Sequence, residues 1–96
     1  MSDVVTKYPD RVPVIAATTG DLYLDKNRFL VPRDMTVGQF TMHVRKRLEM
    51  KATEALFVLV DKTLPPVSAT MDTIYKQHAG NDQFLHLTFC KENVFG

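Results

Sequence analysis

Apolar residues recur along this chain in short continuous or alternating runs and in one longer stretch at helical spacing, and together these predict six elements. Val12-Pro13-Val14-Ile15-Ala16-Ala17 reads as a strand, with Pro13 marking a sheet edge or the strand's start because proline cannot donate to a ladder. Thr18 to Asn27 is polar, contains Gly20 and Asp21, and suits a connection longer than a tight turn. Arg28-Phe29-Leu30-Val31 is a second short strand, stopped by Pro32. Thr36-x-x-Gln39 forms a capping box, and Val37, Phe40, Val44 and Leu48 follow as one apolar helical stripe. Arg45, Lys46 and Arg47 fall late in that helix, where they complement the negative end of its dipole. Leu56-Phe57-Val58-Leu59-Val60 is continuous enough for a buried strand, and Leu64-Pro65-Pro66 then breaks the chain. Ser68 is placed to cap a shorter helix through Met71, Ile74, Tyr75 and His78, ended by Gly80. Phe84 to Phe89 is the last strand.

Strand, strand, helix, strand, short helix, strand describes an α+β domain with one main helix laid across a sheet. The ubiquitin-like β-grasp, a mixed four-stranded sheet with a second short helix, is the economical solution. Residues 1–96 form a single domain, with a short segment over 1–6 and an extended tail over 91–96. Leu85, Leu87 and Phe89 are expected to face the helix, and Phe84, His86 and Thr88 to face away. That outward face is only half polar, so it meets a partner or another part of the chain.

Ninety-six residues make one domain, and 45% hydrophobic content is ample for one core. A formal charge of +1 gives no global drive toward nucleic acid or anionic membrane, so electrostatic recognition must be local. Cys90 is the only cysteine, which rules out an internal disulfide and fits a reducing compartment. No apolar run approaches membrane-spanning length, and Met1 to Lys7 lacks signal-peptide character. The expected location is the cytoplasm, with any membrane attachment acquired.

Catalytic constellations are weak. His86 and Cys90 share a strand face but lie about 13 Å apart along it, too far for a nucleophile–base hydrogen bond. Cys90 instead suits a small packed apolar group. The three histidines sit on different elements without metal-ligand spacing, and the glycines are scattered, so neither a metal site nor a cofactor-cradling loop is expected. Arg45-Lys46-Arg47 with Lys51 fits a solvated helix end as well as a functional patch. Lys26 and Arg28 flank the second strand, where they either guard an edge or greet an acidic-flanked peptide that adds a strand there with two apolar anchors. Gly96 leaves a carboxylate with no Cβ beside it, which suits passage through a narrow channel and transfer, although a frayed or cut end reads the same way.

The block Lys7-Tyr8-Pro9-Asp10-Arg11-Val12-Pro13-Val14-Ile15 resembles the autophagy-related protein eight family of ubiquitin-like modifiers and its GABARAP-type relatives. So do Phe29-Leu30-Val31-Pro32, then Thr36-Val37-Gly38-Gln39-Phe40, and Arg45-Lys46-Arg47. Leu64-Pro65-Pro66 with Ser68-Ala69-Thr70-Met71, and Glu92-Asn93-Val94-Phe95-Gly96, complete the match. The likeness spans about residues 7 to 96 and is in register except for a short loop near residues 18–25.

The resemblance implies a β-grasp modifier that is not an enzyme and needs no cofactor. Gly96 would be joined to phosphatidylethanolamine, with Val94 and Phe95 as the lead-in that cognate activating and conjugating enzymes and a processing or deconjugating protease grip. The conjugate would sit on the autophagosome membrane and recruit cargo receptors carrying aromatic-x-x-aliphatic motifs. By position, Pro13, Ile15, Arg28, Leu30 and Phe84 would line the aromatic pocket. Phe29, Val31, Pro32, Met35, Phe40 and His43 would line the aliphatic pocket, and Lys26, Arg28 and Arg47 would meet acidic groups of the peptide. Nucleic acid is not among the implied partners.

Two departures from the family pattern change expectations. Only Met1 to Thr6 precede the Lys7 block, where the family usually has a helical extension on the outer sheet face. A more open aromatic pocket and greater exposure of Phe84 and His86 are therefore expected, with weaker stability or self-association. His43 stands where the family usually has an apolar residue, which predicts a less greasy, pH-sensitive aliphatic pocket. The alternatives are a ubiquitin-like modifier conjugated to a protein and a peptide-docking adaptor that never conjugates.

Overall fold

The computed structural model describes residues 10–20, 22–51 and 53–91. Strands β1 (Arg11–Thr18), β2 (Arg28–Pro32), β3 (Phe57–Leu59) and β4 (Leu85–Cys90) form one sheet in the order β2-β1-β4-β3. Helix α1 (Val37–Arg47) crosses that sheet, and helix α2 (Met71–His78) follows β3. β1 and β4 run parallel at the centre, and β2 and β3 pair antiparallel on either side, so the sheet is mixed. This is the expected β-grasp arrangement.

Strand periodicity sorts the side chains. Val12, Val14 and Ala16 of β1, Phe29 and Val31 of β2, and Leu85, Leu87 and Phe89 of β4 all point to one face and are buried. Val37, Phe40 and Val44 on α1 close over them, with Phe40 set edge-on to Phe29 at 5.3 Å and tilted against Phe89 at 6.2 Å. The helix starts where the capping box requires. The Gln39 N–H donates to Thr36 Oγ1 at 3.1 Å, and the Thr36 N–H donates to Gln39 Oε1 at 2.9 Å.

One expectation is narrowed and one corrected. Pro13 does not lie on an outer strand, because β1 is flanked by β2 and β4, and stands instead near the strand's start, the other placement expected. It is tolerated because pairing with β4 begins one residue later, at Val14–Leu85, so no ladder bond is lost there. The second helix is capped by Thr70 and not Ser68, with Thr70 Oγ1 accepting the Thr73 N–H at 3.2 Å. The chain from Pro66 to Thr70 is already committed elsewhere. The Val67 and Ala69 carbonyls accept the first amides of α1, from Gly38 and Val37, each at 2.9 Å, and Thr70 bridges to Thr36. The residue left to open α2 is therefore Thr70. Cys90 is buried, as expected of a packed thiol.

Candidate functional site: a groove beside an edge strand

Because Pro13 has no N–H, its antiparallel pair with Leu30 is a non-hydrogen-bonded one, and the Val12–Val31 and Val14–Phe29 pairs alternate with it as bonded ones. The Ala16 N–H donates to Asn27 O at 2.7 Å, which keeps the same alternation. The N–H and C=O groups of Arg28 and Leu30 consequently point away from β1. Among the described strands nothing pairs with that side of β2. The edge thus offers backbone donors and acceptors to an extended chain.

A pocket opens on each face of this edge. On the outer face, a cavity of about 320 Å³ is lined by Lys26, Arg28, Phe29, Leu30 and Phe84. On the helix side, a cavity of about 330 Å³ is lined by Arg11, Lys26, Phe29, Leu30, Val31, Pro32, Met35, Phe40 and His43. Both lie at the low end of whole-ligand sites, which enclose about 300–1,000 Å³, and suit single side chains. Leu30 is 39% exposed, unusual for an apolar strand residue with a neighbour on one side only, and it stands between the two cavities.

The six residues expected in the aliphatic pocket all line the helix-side cavity. The outer cavity brings together Arg28, Leu30 and Phe84, but not Pro13 or Ile15. Pro13 is fully buried beneath the row formed with Leu30, and Ile15 is half-buried in the next row, between Arg28 and His86. Lys26 lines both cavities, Arg11 the helix-side one and Phe29 the outer one as well as its own, and none of these three linings was among the expectations. The Arg11–Pro32 register was the one signal that could have found Arg11. Phe84 is half-buried and His86 exposed. The C-terminal residues Val94, Phe95 and Gly96 lie outside the described residues.

Charge is unevenly placed around the groove. Among the described residues Arg11, Lys26 and Arg28 have no carboxylate partner, so they are available to an acidic ligand. Lys26 Nζ sits 5.1 Å from the centre of the Phe29 ring, a cation–π contact that keeps it over the wall shared by both pockets. Arg47 meets a carboxylate of its own chain. Its Nη2 meets Asp25 Oδ1 at 3.1 Å, and it lines neither pocket. It lines a third cavity of about 560 Å³ with Tyr23, Asp25, Glu49, Glu54 and Lys91 among others. That larger cavity is polar, and much of its charge is already neutralised by the Arg47–Asp25 and Lys91–Glu54 pairs. The groove, with apolar walls and unpaired cations, is the better binding site.

The support beneath the groove is hydrogen-bonded. The Met35 N–H donates to Pro32 O at 3.1 Å, closing the turn out of β2. The first amides of α2 then lock that turn, with Met71 N–H on Met35 O at 2.8 Å and Asp72 N–H on Arg33 O at 3.1 Å. An Arg33–Asp72 ion pair reinforces them, and the Arg33 guanidinium lies 5.8 Å from the Tyr75 ring. Lys76 and Arg33 hold the Asp72 carboxyl below its ordinary range.

A family model described as autophagy protein Atg8, ubiquitin-like, matches residues 1–96. The chain belongs to the Atg8 family. It is 48% identical to autophagy-related protein 8a of Arabidopsis thaliana over 98 residues, covering 99% of this chain and 80% of that protein. It is 46% identical to autophagy-related protein 8 of Schizosaccharomyces pombe, covering 94% and 77%. The crystal structure of Trypanosoma brucei ATG8 superposes with a TM-score of 0.87 at 41% identity, covering 98% of this chain and 84% of that one. Atg8 proteins are ubiquitin-like proteins of autophagy and are not themselves enzymes.

Proposed function

We propose that this Atg8-family chain is a modifier conjugated through Gly96 to phosphatidylethanolamine, and that it recruits receptors to autophagosomal membranes by binding aromatic-x-x-aliphatic peptides along β2. The single observation that carries the docking half is the open edge at Arg28 and Leu30 with an apolar pocket on either face. A peptide strand pairs with that edge, and its alternating side chains enter opposite pockets. The aromatic anchor enters the cavity of Arg28, Leu30 and Phe84, with Pro13 and Ile15 as its underlying support. The aliphatic anchor enters the cavity of Val31, Pro32, Met35, Phe40 and His43, and Lys26 steers acidic flanks. The conjugation half rests on family membership and on the Val94-Phe95-Gly96 ending. It makes the cognate activating and conjugating enzymes and a processing protease the expected partners, acting in the cytoplasm before the conjugate joins the membrane.

The deciding experiment mixes the protein with those enzymes, ATP and vesicles containing phosphatidylethanolamine. A lipid adduct that is lost in Gly96→Ala supports this reading. An adduct on protein favours a protein modifier, and no adduct with retained peptide binding favours a docking adaptor.

A further inference from the structure

We infer that Glu54 is a positioning residue for the C-terminal tail: by holding Lys91 it fixes where residues 92–96 start from, and so how readily the activating and conjugating enzymes take up Gly96. This role rests on the conjugation reading above and adds to it a residue outside the tail.

The ladder that holds β4 stops just short of the tail. β3 and β4 pair antiparallel, and the pair at this end is Phe57–Cys90. Carried one pair further, the register sets Lys91 opposite Leu56, with Glu54 as its diagonal neighbour on the same face and within reach of a long side chain. An ion pair forms there, with Lys91 Nζ 3.0 Å from Glu54 Oε2. Side-chain contact thus extends the hold on this end of β4 by one residue after the backbone pairing has ended. Gly96 follows five residues later.

Glu54 is itself held from the main helix. Its Oε1 accepts the Lys51 N–H at 2.9 Å, and its own N–H donates to Lys51 O at 3.0 Å. Arg45 Nη2 of α1 donates to the same carbonyl at 2.8 Å. A run of contacts therefore leads from α1 through Arg45, Lys51 and Glu54 to Lys91. The Lys51 amide, and after it Lys91, hold the Glu54 carboxyl below its ordinary range, so the clasp is complete at neutral pH. Its members are 36% and 33% exposed, and a pair so placed contributes a small factor. An enzyme that must draw the tail into a narrow channel gains from a fixed starting point, because each group ordered on binding costs affinity.

The test is a kinetic double-mutant cycle on lipid conjugation. It uses the full chain, Glu54→Gln, Lys91→Met and the double variant, with the cognate enzymes, ATP and vesicles containing phosphatidylethanolamine. Glu54→Gln keeps an oxygen for the Lys51 amide and loses only the charge, so the loop stays closed. Each single variant is expected to lower kcat/KM about two- to fourfold, chiefly through KM, and the double variant no further. Backbone amide relaxation, read without any enzyme, should show faster motion of Glu92 to Phe95 in both single variants than in the unaltered protein. Losses that multiply in the double variant, or losses without a change in tail motion, would mean that the two side chains meet the enzymes separately and would overturn the role. A loss in Glu54→Gln that Lys91→Met lacks would trace to the loop and not to the clasp, and full rates in both would also overturn it. If the unaltered protein forms no lipid adduct, the conjugation reading itself fails and the role goes with it.

Discussion

The Asp82 carboxylate holds Phe84 at the mouth of the aromatic pocket: its Oδ1 accepts the Phe84 backbone N–H at 3.0 Å, two residues on. Its other oxygen meets His86 Nε2 at 2.8 Å, so a single side chain ties the turn to the outward face of β4. The turn is completed by Gly80 N–H on Phe84 O and Gln83 N–H on Gly80 O, both at 2.9 Å, with Gln83 in the left-handed region at φ 68°. Asp82→Ala is expected to leave the core intact and weaken binding of a tryptophan-anchored peptide about two- to fivefold, because Phe84 must then be ordered on binding. Isothermal titration of the variant against the unaltered protein measures it, and unchanged affinity would remove Asp82 from the account.

The same carboxylate gives a pH dependence with a definite sign. The Phe84 amide, and after it His86, hold the Asp82 carboxyl below its ordinary range. A carboxylate whose folded value is depressed adds stability that is complete above the unfolded value and lost as pH falls through the folded one. The melting-temperature gap between the protein and Asp82→Ala should therefore close as pH falls below about 4, the ordinary aspartate value. A gap that stays open well below that value would contradict the assignment.

Much of the fold was legible because single residues carry local rules. The Thr36-x-x-Gln39 box fixed the start of α1, and alternation in β4 fixed which side of Leu85, Leu87 and Phe89 is buried. The residues around both cavities came by position from the family resemblance, since the pattern alone left the β2 edge open between a guarded edge and a docking site. What failed depended on contacts between distant segments. Thr70 replaced Ser68 as a cap because carbonyls just before it serve α1, which no window around Ser68 contains. Arg47 could not be known to face Asp25, since loop 19–27 has no hydrophobic period to place its carboxylate. Pro13 and Ile15 lie on the outer face as alternation requires, yet alternation says nothing about whether a side chain lines a cavity or floors it.

Leu30 and Phe29 should separate binding from stability. Leu30 is the exposed residue between the pockets, and Leu30→Ala is expected to cost the fold less than about 1 kcal/mol. Its peptide affinity should fall at least about tenfold, as for an interface anchor. Phe29 is buried against Phe40, and Phe29→Ala should cost about 3–5 kcal/mol of stability besides any loss of binding. Chemical denaturation run beside the peptide titrations distinguishes the two. Equal destabilisation by both variants would refute the assignment of Leu30 to recognition.

His43 is exposed on α1, with its ring edge-on to Phe29 at 6.2 Å inside the aliphatic pocket. A polar ring there makes the pocket wetter than an aliphatic side chain would. Affinity for an aromatic-x-x-leucine peptide should therefore rise about two- to fivefold in His43→Leu, as read by isothermal titration. An unchanged or lower affinity would remove His43 from the aliphatic site.

Asp72 tests whether the second helix holds the aliphatic pocket open. It pairs with Arg33 across the chain and with Lys76 one turn on at 3.1 Å, and it is the acidic residue of the first turn of α2. Asp72→Ala removes both pairs and a favourable dipole contact, for an expected loss of about 1–2 kcal/mol. The same change removes the ion pair that clasps the turn in which Met71 and Met35 are bonded, so Met35 should lose its fixed position in the pocket. Affinity for the aliphatic anchor should then drop more than affinity for the aromatic one, as read by swapping each anchor for alanine in the peptide. Lys76→Met is the control. It removes only the exposed half of the pairing and should change stability slightly without touching the anchor preference. If Lys76→Met reproduces the whole effect, the helix stabilises itself and not the pocket. Because the folded Asp72 carboxyl lies below its ordinary range, the clasp should be fully present at neutral pH. It should be lost only as pH falls through that depressed value, with Asp72→Ala and the unaltered protein converging there.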